Sequence, residues 1–455
     1  ALAFTTKAQE WSEPVTVFEG GTNYDPDFAI DSNGALHVVW THKIAENNWK
    51  IYYSESTDQG STWSEPYDVV RDLVENQMLR APKIAVGSNN EIFITYDVHP
   101  YSQVIKVYMQ IFNGNEWSNP MLVSRDMSSA YYSRLIVDNE GVLHIFWYNS
   151  ILSMFQYRTF YNQAFSNISQ PYNNQGTIFL SHVRIDKNSK IHCFGVHRSV
   201  GGSNSYTIYF TKYDQEWSRI DSVCDPYWSS KAMAINQNNE PCFLWVSRTN
   251  NIDTTRYTKL INNQWGTFTL TPKISSEQAI IVEKNGTEHI VQNEKYGSGY
   301  VQKHYILKDT NVYEYVIDES RYPSDNKLLI SDSTMYLLYV RPLESNVYEC
   351  DLYMKTFPVE NLSGIAFHVQ NNKQLVCKLF PNPTRQFFSL ELISETTSLI
   401  DIYIYNVFGQ LVYQTQFHQL QENKLFDFGK QPVGLYKMLI KSGELTTTQT
   451  FLIMR

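Results

Sequence analysis

The chain repeats itself. A phrase made of a strand, an Asp or Asn turn and a second strand recurs as FAIDSNGALHVVW, KIAVGSNNEIFITY, LIVDNEGVLHIFW, VRIDKNSKIHCFG, MAINQNNEPCFLW, IIVEKNGTEHIVQ and LLISDSTMYLLYV. Aligning the last turn residue of each gives Gly34, Asn90, Gly141, Ser189, Asn239, Gly286 and Thr334, a spacing of roughly 50 residues, in the range of propeller blades. Each unit continues through a third strand, such as WKIYYSES or IKVYMQIF, into a Trp-bearing fourth segment: STWSEPYDVV, NEWSNPMLVS, QEWSRIDSV, NQWGTFTL. The amino-terminal piece QEWSEPVTVFEG matches that fourth segment with no three strands before it, and the seventh unit, ending near DLYMKTF, lacks one. The two ends are therefore expected to complete one blade, and a ring closed in this way protects the edges that an open sheet exposes.

Composition agrees with an all-β chain. Of 455 residues, 42% are apolar, enough for a large core and more than one domain. Tyr, Phe, Val, Ile and Thr are punctuated by Asn-Asn, Asn-Gly and Asp-Gln-Gly turns, with no long stretch of helical periodicity. No apolar run approaches the roughly 18 residues that a membrane-spanning helix needs. A formal charge of -9 argues against a general affinity for nucleic acid or anionic lipid. Cys193, Cys224, Cys242, Cys350 and Cys377 are odd in number and at no metal-ligand spacing, so neither a zinc site nor a full disulfide framework is indicated. Cys193 and Cys242 lie in apolar strand patterns as core thiols. Nothing indicates a nucleotide, flavin or haem, and no cofactor is expected; a structural calcium is compatible with such a chain, but no spaced carboxylate loop singles one out. Ala1-Leu2-Ala3-Phe4 is compatible with the start of a mature chain after cleavage.

Residues Ser56 to Trp63 read STDQGSTW, the S-x-D-x-G-x-x-W form of the Asp box, and the segment resembles the repeats of sialidase-like β-propellers; FNGNEW, YDQEW and INNQW are degenerate copies. The resemblance implies a turn between the third and fourth strands, with the Asp bonded to turn amides and the Trp packed between sheets. It implies a scaffold role for Asp58 in place of a catalytic one. Asp and Gly suit such a turn because it needs a side-chain acceptor and a permissive backbone.

From about Lys373 the period stops. QLVCKLFPNPTRQFFSLEL, LIDIYIYNVFGQLVYQ, QPVGLYKMLIKSG and TQTFLIMR read as short alternating strands of a small immunoglobulin-like β-sandwich. The expected organisation is a seven-bladed β-propeller over residues 1-372 and a sandwich over 373-455. Phe380-Pro381-Asn382-Pro383, Asn406-Val407-Phe408-Gly409-Gln410, Gly434-Leu435-Tyr436 and the terminal strand resemble the carboxy-terminal sorting domain of the bacterial type IX secretion system. That resemblance implies engagement of the secretion machinery by the tail, export across the outer membrane, and either attachment to the cell surface or release. A secreted propeller meets polymers and glycans, so the expected partner is an extracellular polysaccharide or glycoconjugate.

The repeats supply an internal control for chemistry. His37, His144, His192 and His289 share one second-strand register and read as packing residues. Along the first strand one face is small or aliphatic at Ala29, Ala85, Ile136, Ala234, Ile281 and Leu329, but the fourth unit places Arg184 there; a guanidinium near the axis is expensive unless partnered or wet. Two residues earlier the same face carries Asp27, Lys83, Arg134, His182 and Lys327. Loops expected after the second strands add His42, His99, His197 with Arg198, Arg248 and Arg341, and Arg80 and Tyr132 precede the first strands. One reading is a set of salt bridges to Asp25, Asp27, Asp97 and Glu294. The other is a funnel that binds an anionic sugar through Arg80, Arg134, Arg184, Arg198, His99 and His42, with Arg forks matched to carboxylate or sulfate.

Two chemistries fit those residue types. Sialidases use three Arg on the substrate carboxylate, a Tyr nucleophile assisted by Glu and an Asp acid/base, with the first Arg in an R-I-P motif; Arg80-Ala81-Pro82 followed by Asp97 is the nearest match, against seven units where sialidases have six blades. β-Elimination of uronate polymers, known in seven-bladed propeller lyases, needs a cation on the uronate and a His or Tyr to move a proton, for which His182, His197 and Tyr132 are the candidate catalytic groups. The competing class is a non-catalytic glycan-binding or adhesive surface protein.

Overall fold

The computed structural model describes residues 10–70, 77–100, 104–124, 129–170, 172, 176–199, 205–214, 216–224, 230–249, 252–261, 264–271, 275–296, 299–308, 311–318, 323–343 and 349–359, then 377–380, 384, 386–392, 399–406, 410–418, 424–442 and 445–453. Every regular element among them is a strand. The chain forms two compact units, Ala1–Leu362 and Ser363–Arg455; the boundary expected at 372 lies outside the described residues.

The first unit is a seven-bladed propeller. Blade 1 runs from an inner strand, Thr22–Ile30, through Leu36–Ala45 and Asn48–Ser56 to a short outer strand, Tyr67–Asp68. The inner strands of blades 2 to 6 are Gln77–Val86, Ala130–Val137, Gly176–Ile185, Ser230–Ile235 and Ser275–Val282. Blade 7 takes Ser324–Ser331, Thr334–Pro342 and Cys350–Pro358 from the end of the unit and its outer strand, Val15–Phe18, from the beginning; Val15 and Thr16 pair antiparallel with Met354 and Tyr353. Inner strands neighbour one another all the way round, blade 7 against blade 1 included, so the ring is closed.

Turn chemistry explains the period. Gly34, Asn90, Gly141, Ser189, Asn239 and Gly286 are all left-handed, with φ between 60° at Ser189 and 89° at Gly286. Asp31, Asp138, Asp186 and Asn236 open four of these turns, and one side-chain oxygen of each accepts two backbone N–H groups. The seventh turn is tighter than the alignment suggests: Asp332 (φ 52°) and Ser333 join Ser331 to Thr334, so Thr334 begins a strand.

The outer edge is held by a second repeated device. Ser12, Ser64, Ser118, Ser166 and Ser218 each donate a backbone N–H to a third-strand carbonyl, and each Oγ accepts the N–H of that same third-strand residue at 2.9 to 3.0 Å. The ring before each serine, Trp11, Trp63, Trp117, Phe165 or Trp217, packs against the core shared with the neighbouring blade. Ser12 clamps Thr356 and thereby fastens the two ends of the propeller. Within STDQGSTW the Asp58 carboxylate accepts from Ser56 Oγ, Thr62 N and Thr62 Oγ1, and those bonds, Thr62 first, hold it down to about 2. Its oxygens are occupied by its own turn.

The shared second-strand histidines are buried. Nδ1 of His37, His144 and His192 lies 2.7 Å from the hydroxyls of Tyr53, Tyr157 and Tyr209, and Nε2 faces Asp31, Asp138 and Asp186 at 3.7, 3.0 and 3.3 Å. His289 meets Glu283 at 2.6 Å and His304 at 3.0 Å. Burial pushes the imidazoles of His37, His144 and His192 below their usual value.

The second unit is an immunoglobulin-like sandwich. A three-stranded sheet, Cys377–Phe380, Phe387–Leu392 and Lys424–Asp427, and a four-stranded one in the order Leu411–His418, Leu399–Asn406, Gly434–Ser442, Leu445–Ile453 share a core of Phe388, Ile402, Phe426, Met438 and Phe451. Pro381 to Pro383 and Val407 to Gly409, part of the sorting motifs, lie outside the described residues.

Candidate functional site: the axial cavity and the groove at its mouth

Every inner strand breaks register with its neighbour once, just before Asp27, Lys83, Arg134, His182, Ala232, Ala279 or Lys327. A bulge bends its strand and re-aims the side chains beyond it. Four of these bulges hold a left-handed residue with a Cβ, namely Asp25 (φ 51°), Ala81 (49°), Tyr132 (59°) and Asp325 (56°), at a cost of about 1 kcal/mol or more each. The next residue pins the distortion in two of them: Ser133 Oγ lies 2.7 Å from Thr95 Oγ1 of the preceding blade, and Asn326 accepts from Gln302 at 2.7 Å while donating to Asn293 at 3.1 Å.

Beyond the bulges, Asp27, Lys83, Arg134, His182 and Lys327 line one axial cavity of about 550 Å3. Blades 5 and 6 contribute Ala232 and Ala279 at the same register. One step along, Arg184 enters the cavity where blades 5 and 7 offer Ala234 and Leu329. Lys83 Nζ donates to the Pro82 carbonyl at 2.7 Å, Arg134 Nε to Ser181 at 2.8 Å, and Arg184 Nη1 to Val183 at 3.0 Å. Asp27 accepts the Ile84 N–H at 3.2 Å. Among the described residues none of Lys83, Arg134, Arg184 and Lys327 forms an ion pair. Arg184 has an exposed side chain, yet the water it meets is that of a cavity walled by protein. Burial accordingly pulls Lys83, Arg134 and Arg184 below their ordinary values, with Asp27 opposing it; both guanidiniums remain charged.

At the mouth, a groove of about 260 Å3 opens between blades 3 and 4, lined by Tyr132, Arg134, His182, Tyr148 and Phe179 among others. Phe179 and Tyr148 stack at 4.4 Å, Tyr131 adjoins Tyr148 at 5.3 Å, and the Arg198 guanidinium lies over Phe179 at 5.7 Å. Tyr132 is 55% exposed, and Asp97 Oδ2 accepts its backbone N–H at 3.0 Å. Asp97 is itself buried, and desolvation pushes its carboxyl up to about 7. The aromatic shelf of Tyr131, Tyr148 and Phe179 carries no linear signal, since its rings come from two inner strands and one second strand.

The other sequence-derived candidates lie elsewhere. His42, His99, His197, Arg198, Arg248 and Arg341 are carried within strands, not in the loops expected, because the second and third strands of each blade stay paired to their tips, as Ala45 does with Asn48. Their side chains therefore alternate between neighbours in the sheet. His197 stacks on Tyr206 at 6.4 Å beside Gly176, where a Cβ would come within 2.5 Å of its Nε2. It lines neither cavity. His42 donates from Nδ1 to Asn23 Oδ1 at 2.8 Å and stacks on Tyr52 at 5.0 Å. Arg80 covers Trp49 at 4.7 Å, Trp49 stacks on Tyr24 at 5.2 Å, and burial together with Arg80 pushes His99 down. The side chain of Arg248 lies outside the described residues. The salt bridges weighed at the sequence level are differently made: Glu294 pairs with Lys303 at 3.4 Å and Arg341 with Asp318 at 3.7 Å. Thus His182 and Arg184 share the axial cavity, Tyr132, Arg134 and His182 share the groove, and His197, Arg80, His99 and His42 line neither. Among the described residues no cluster of three or more His, Cys, Asp or Glu is arranged to hold a metal, and no helix is long and apolar enough to cross a membrane.

Comparison with known proteins agrees with both units. No curated protein matches the chain. Among solved structures, an ulvan lyase bound to a glucuronate–sulfated rhamnose unit superposes with a TM-score of 0.55 at 12% identity, over 76% of this chain and 96% of that one. Another polysaccharide lyase gives 0.51 at 8% over 79% and 94%, and a protein of unknown function from Dyadobacter fermentans 0.50 at 8% over 77% and 99%. At these identities the likeness is one of fold. Residues 378–454 match the secretion system C-terminal sorting domain. The tail is therefore a type IX sorting domain, and the protein is a secreted one, extracellular or attached to the bacterial outer surface.

Proposed function

We propose that the propeller binds an anionic extracellular polysaccharide across the groove between blades 3 and 4. The observation that carries the reading is the meeting of a guanidinium, an imidazole and an exposed phenol, Arg134, His182 and Tyr132, in one groove with an aromatic wall. Aromatic rings such as Phe179 suit the apolar face of a sugar, while Arg134 and Arg198 suit its carboxylate or sulfate. The glucuronate and sulfated rhamnose named for the ulvan lyase of like fold make a uronate-bearing, sulfated chain the first to test.

The same three groups favour a second reading, β-elimination. Arg134 would neutralise the uronate carboxylate and so acidify the adjacent C–H. His182 or Tyr132 would take that proton, and the other would protonate the leaving oxygen as the C–O bond breaks. A sialidase mechanism has less support, since Arg80 lines neither cavity. The test incubates the purified protein with uronate, sulfated and sialylated polymers and measures retention, released sugar and the ultraviolet absorbance of a new double bond. Retention on one polymer, weakened about tenfold by Arg134→Ala, supports binding; absorbance lost in Tyr132→Phe supports elimination. Retention on none defeats the proposal.

A further inference from the structure

We infer that the axial cavity is a binding site for a tetrahedral oxyanion, sulfate or phosphate in chemistry, held by Arg184, Lys327 and Lys83 in the space left over Ala232 and Ala279. The inference does not rest on the glycan reading. Its first support is charge. Four cationic side chains, Lys83, Arg134, Arg184 and Lys327, line a cavity of about 550 Å3 with one carboxylate, Asp27; Asp25, outside that lining, also acts on Lys83 and Arg134, which leaves a nominal excess of two positive charges. Asp97 adds little compensation below about pH 7, because burial raises its carboxyl to about 7. Uncompensated charge walled by protein is costly. A lysine can shed its proton to escape that cost, but an arginine cannot, and two of the four are arginines.

Room is the second support. Lysines, an arginine, an imidazole and a carboxylate occupy the bulge register in blades 7 and 1 to 4, whereas blades 5 and 6 present only methyl groups, so the long side chains face unfilled volume. Unused donors are the third. Arg184 directs one N–H to Val183, and a guanidinium has five. Lys327 makes no hydrogen bond or ion pair among the described residues. Donors of this kind, carried on three blades around one cavity, match the oxygens of a tetrahedral anion better than a planar carboxylate.

The site is tested by thermal unfolding of the full chain in sodium sulfate, sodium phosphate and sodium chloride at equal ionic strength. Tenfold saturation by sulfate or phosphate should raise the midpoint by about 2–3 °C over chloride. Arg184→Leu and Lys327→Leu should each abolish that increment, and each should unfold no earlier than the parent in chloride. Sulfate also stabilises proteins by exclusion from their surfaces, which the variants expose: an increment that survives in both overturns the site, as does the lack of any increment in the parent. A sulfated oligosaccharide distinguishes the source of the anion. If it removes the effect of free sulfate, the cavity takes an ester group of a bound polymer; if the effects add, it takes the free ion. Loss of glycan retention with the sulfate increment intact would defeat the polysaccharide reading alone.

Discussion

Blades 7 and 1 to 4 differ from blades 5 and 6 at both ends of the radius. At the rim, the first group breaks its outer strand into short pieces and fastens the break with the serine clamp, from Ser12 to Ser218. Blades 5 and 6 run continuous outer strands, Gln264–Thr271 and Asn311–Asp318, where Gly266 stands at the clamp register of blade 5 and ladder pairing makes the clamp unnecessary. At the hub, the first group presents charged or imidazole side chains and the second presents alanine. The rim difference has a backbone cause. The hub difference has none, since the bulge that aims these residues is common to all seven blades. A residue that repeats because the backbone needs it is scaffold; one that varies on a common backbone answers to something other than the fold.

The largest expected effect tests that distinction directly. His192→Ala removes a 2% exposed ring and leaves the Tyr209 hydroxyl and the Asp186 carboxylate without their partner, so denaturant unfolding should show a loss of about 3 kcal/mol. Arg184→Leu, in the same blade, should lie within about 0.5 kcal/mol of the parent or above it, because it removes an uncompensated charge. A comparable loss in both variants would make Arg184 a scaffold residue and erase the distinction between a position that repeats and one that varies.

Acid should act on the same buried rings. The folded-state values of His37, His144 and His192 lie below the unfolded imidazole value, with burial the first cause. The unfolded chain therefore takes up protons first, and stability falls as pH drops below about 6.5, by up to about 1.4 kcal/mol per pH unit for each ring. Asp97 works in the opposite sense: its value is raised to about 7 from 3.8, so its burial costs most above pH 7 and is relieved on acidification. Asp97→Asn keeps an acceptor for the Tyr132 N–H and should make the acid loss steeper. Denaturation midpoints between pH 8 and pH 5 read both, and a flat profile in Asp97→Asn, where the opposing carboxyl is gone, would mean that the three rings titrate alike in the folded and unfolded chain.

The ring and its closure were legible in the sequence because they are written in local turn chemistry. Six of the seven aligned turn residues have the left-handed backbone that Gly, Asn or Ser permits, and Trp11-Ser12 carries the same two-residue signature as Trp63-Ser64 and Trp117-Ser118. Thr334 falls outside the set because a two-residue turn needs no third residue to reverse the strand. The hub was half legible. Arg184 stands out by departing from an apolar register, Arg134 and His182 lie on the charged register two residues earlier, and all three line the axis. The bulges are not visible, since their left-handed positions hold Asp twice, Ala and Tyr, with no single residue type to mark them. His42 and His197 sit in strands where loops are expected for a different reason: their neighbours Tyr52 and Tyr206 come from the adjacent strand, and sequence alone gives no warning that the hairpin stays paired that far.

The smallest expected effect lies at the rim, where the clamp explanation is most exposed to failure. Ser118 Oγ accepts the Ile111 N–H at 3.0 Å while the Ser118 N–H donates to the Ile111 carbonyl at 2.8 Å, so one residue closes the ladder that its own strand has left. Ser118→Ala keeps the backbone bond and loses the side-chain one, leaving the Ile111 N–H to water or unpaired, which costs about 1 kcal/mol. Ser64→Ala should cost about as much, because Ser64 Oγ meets Ser54 Oγ at 3.2 Å where Ser118 Oγ donates to the Asn119 carbonyl at 3.1 Å. Amide hydrogen exchange at Ile111 should quicken in Ser118→Ala while Lys259, opposite Gly266 in the continuous strand of blade 5, exchanges as before. Unchanged protection at Ile111 would mean that the Trp rings alone hold the rim, and the serines would then follow them as neighbours with no part in the closure.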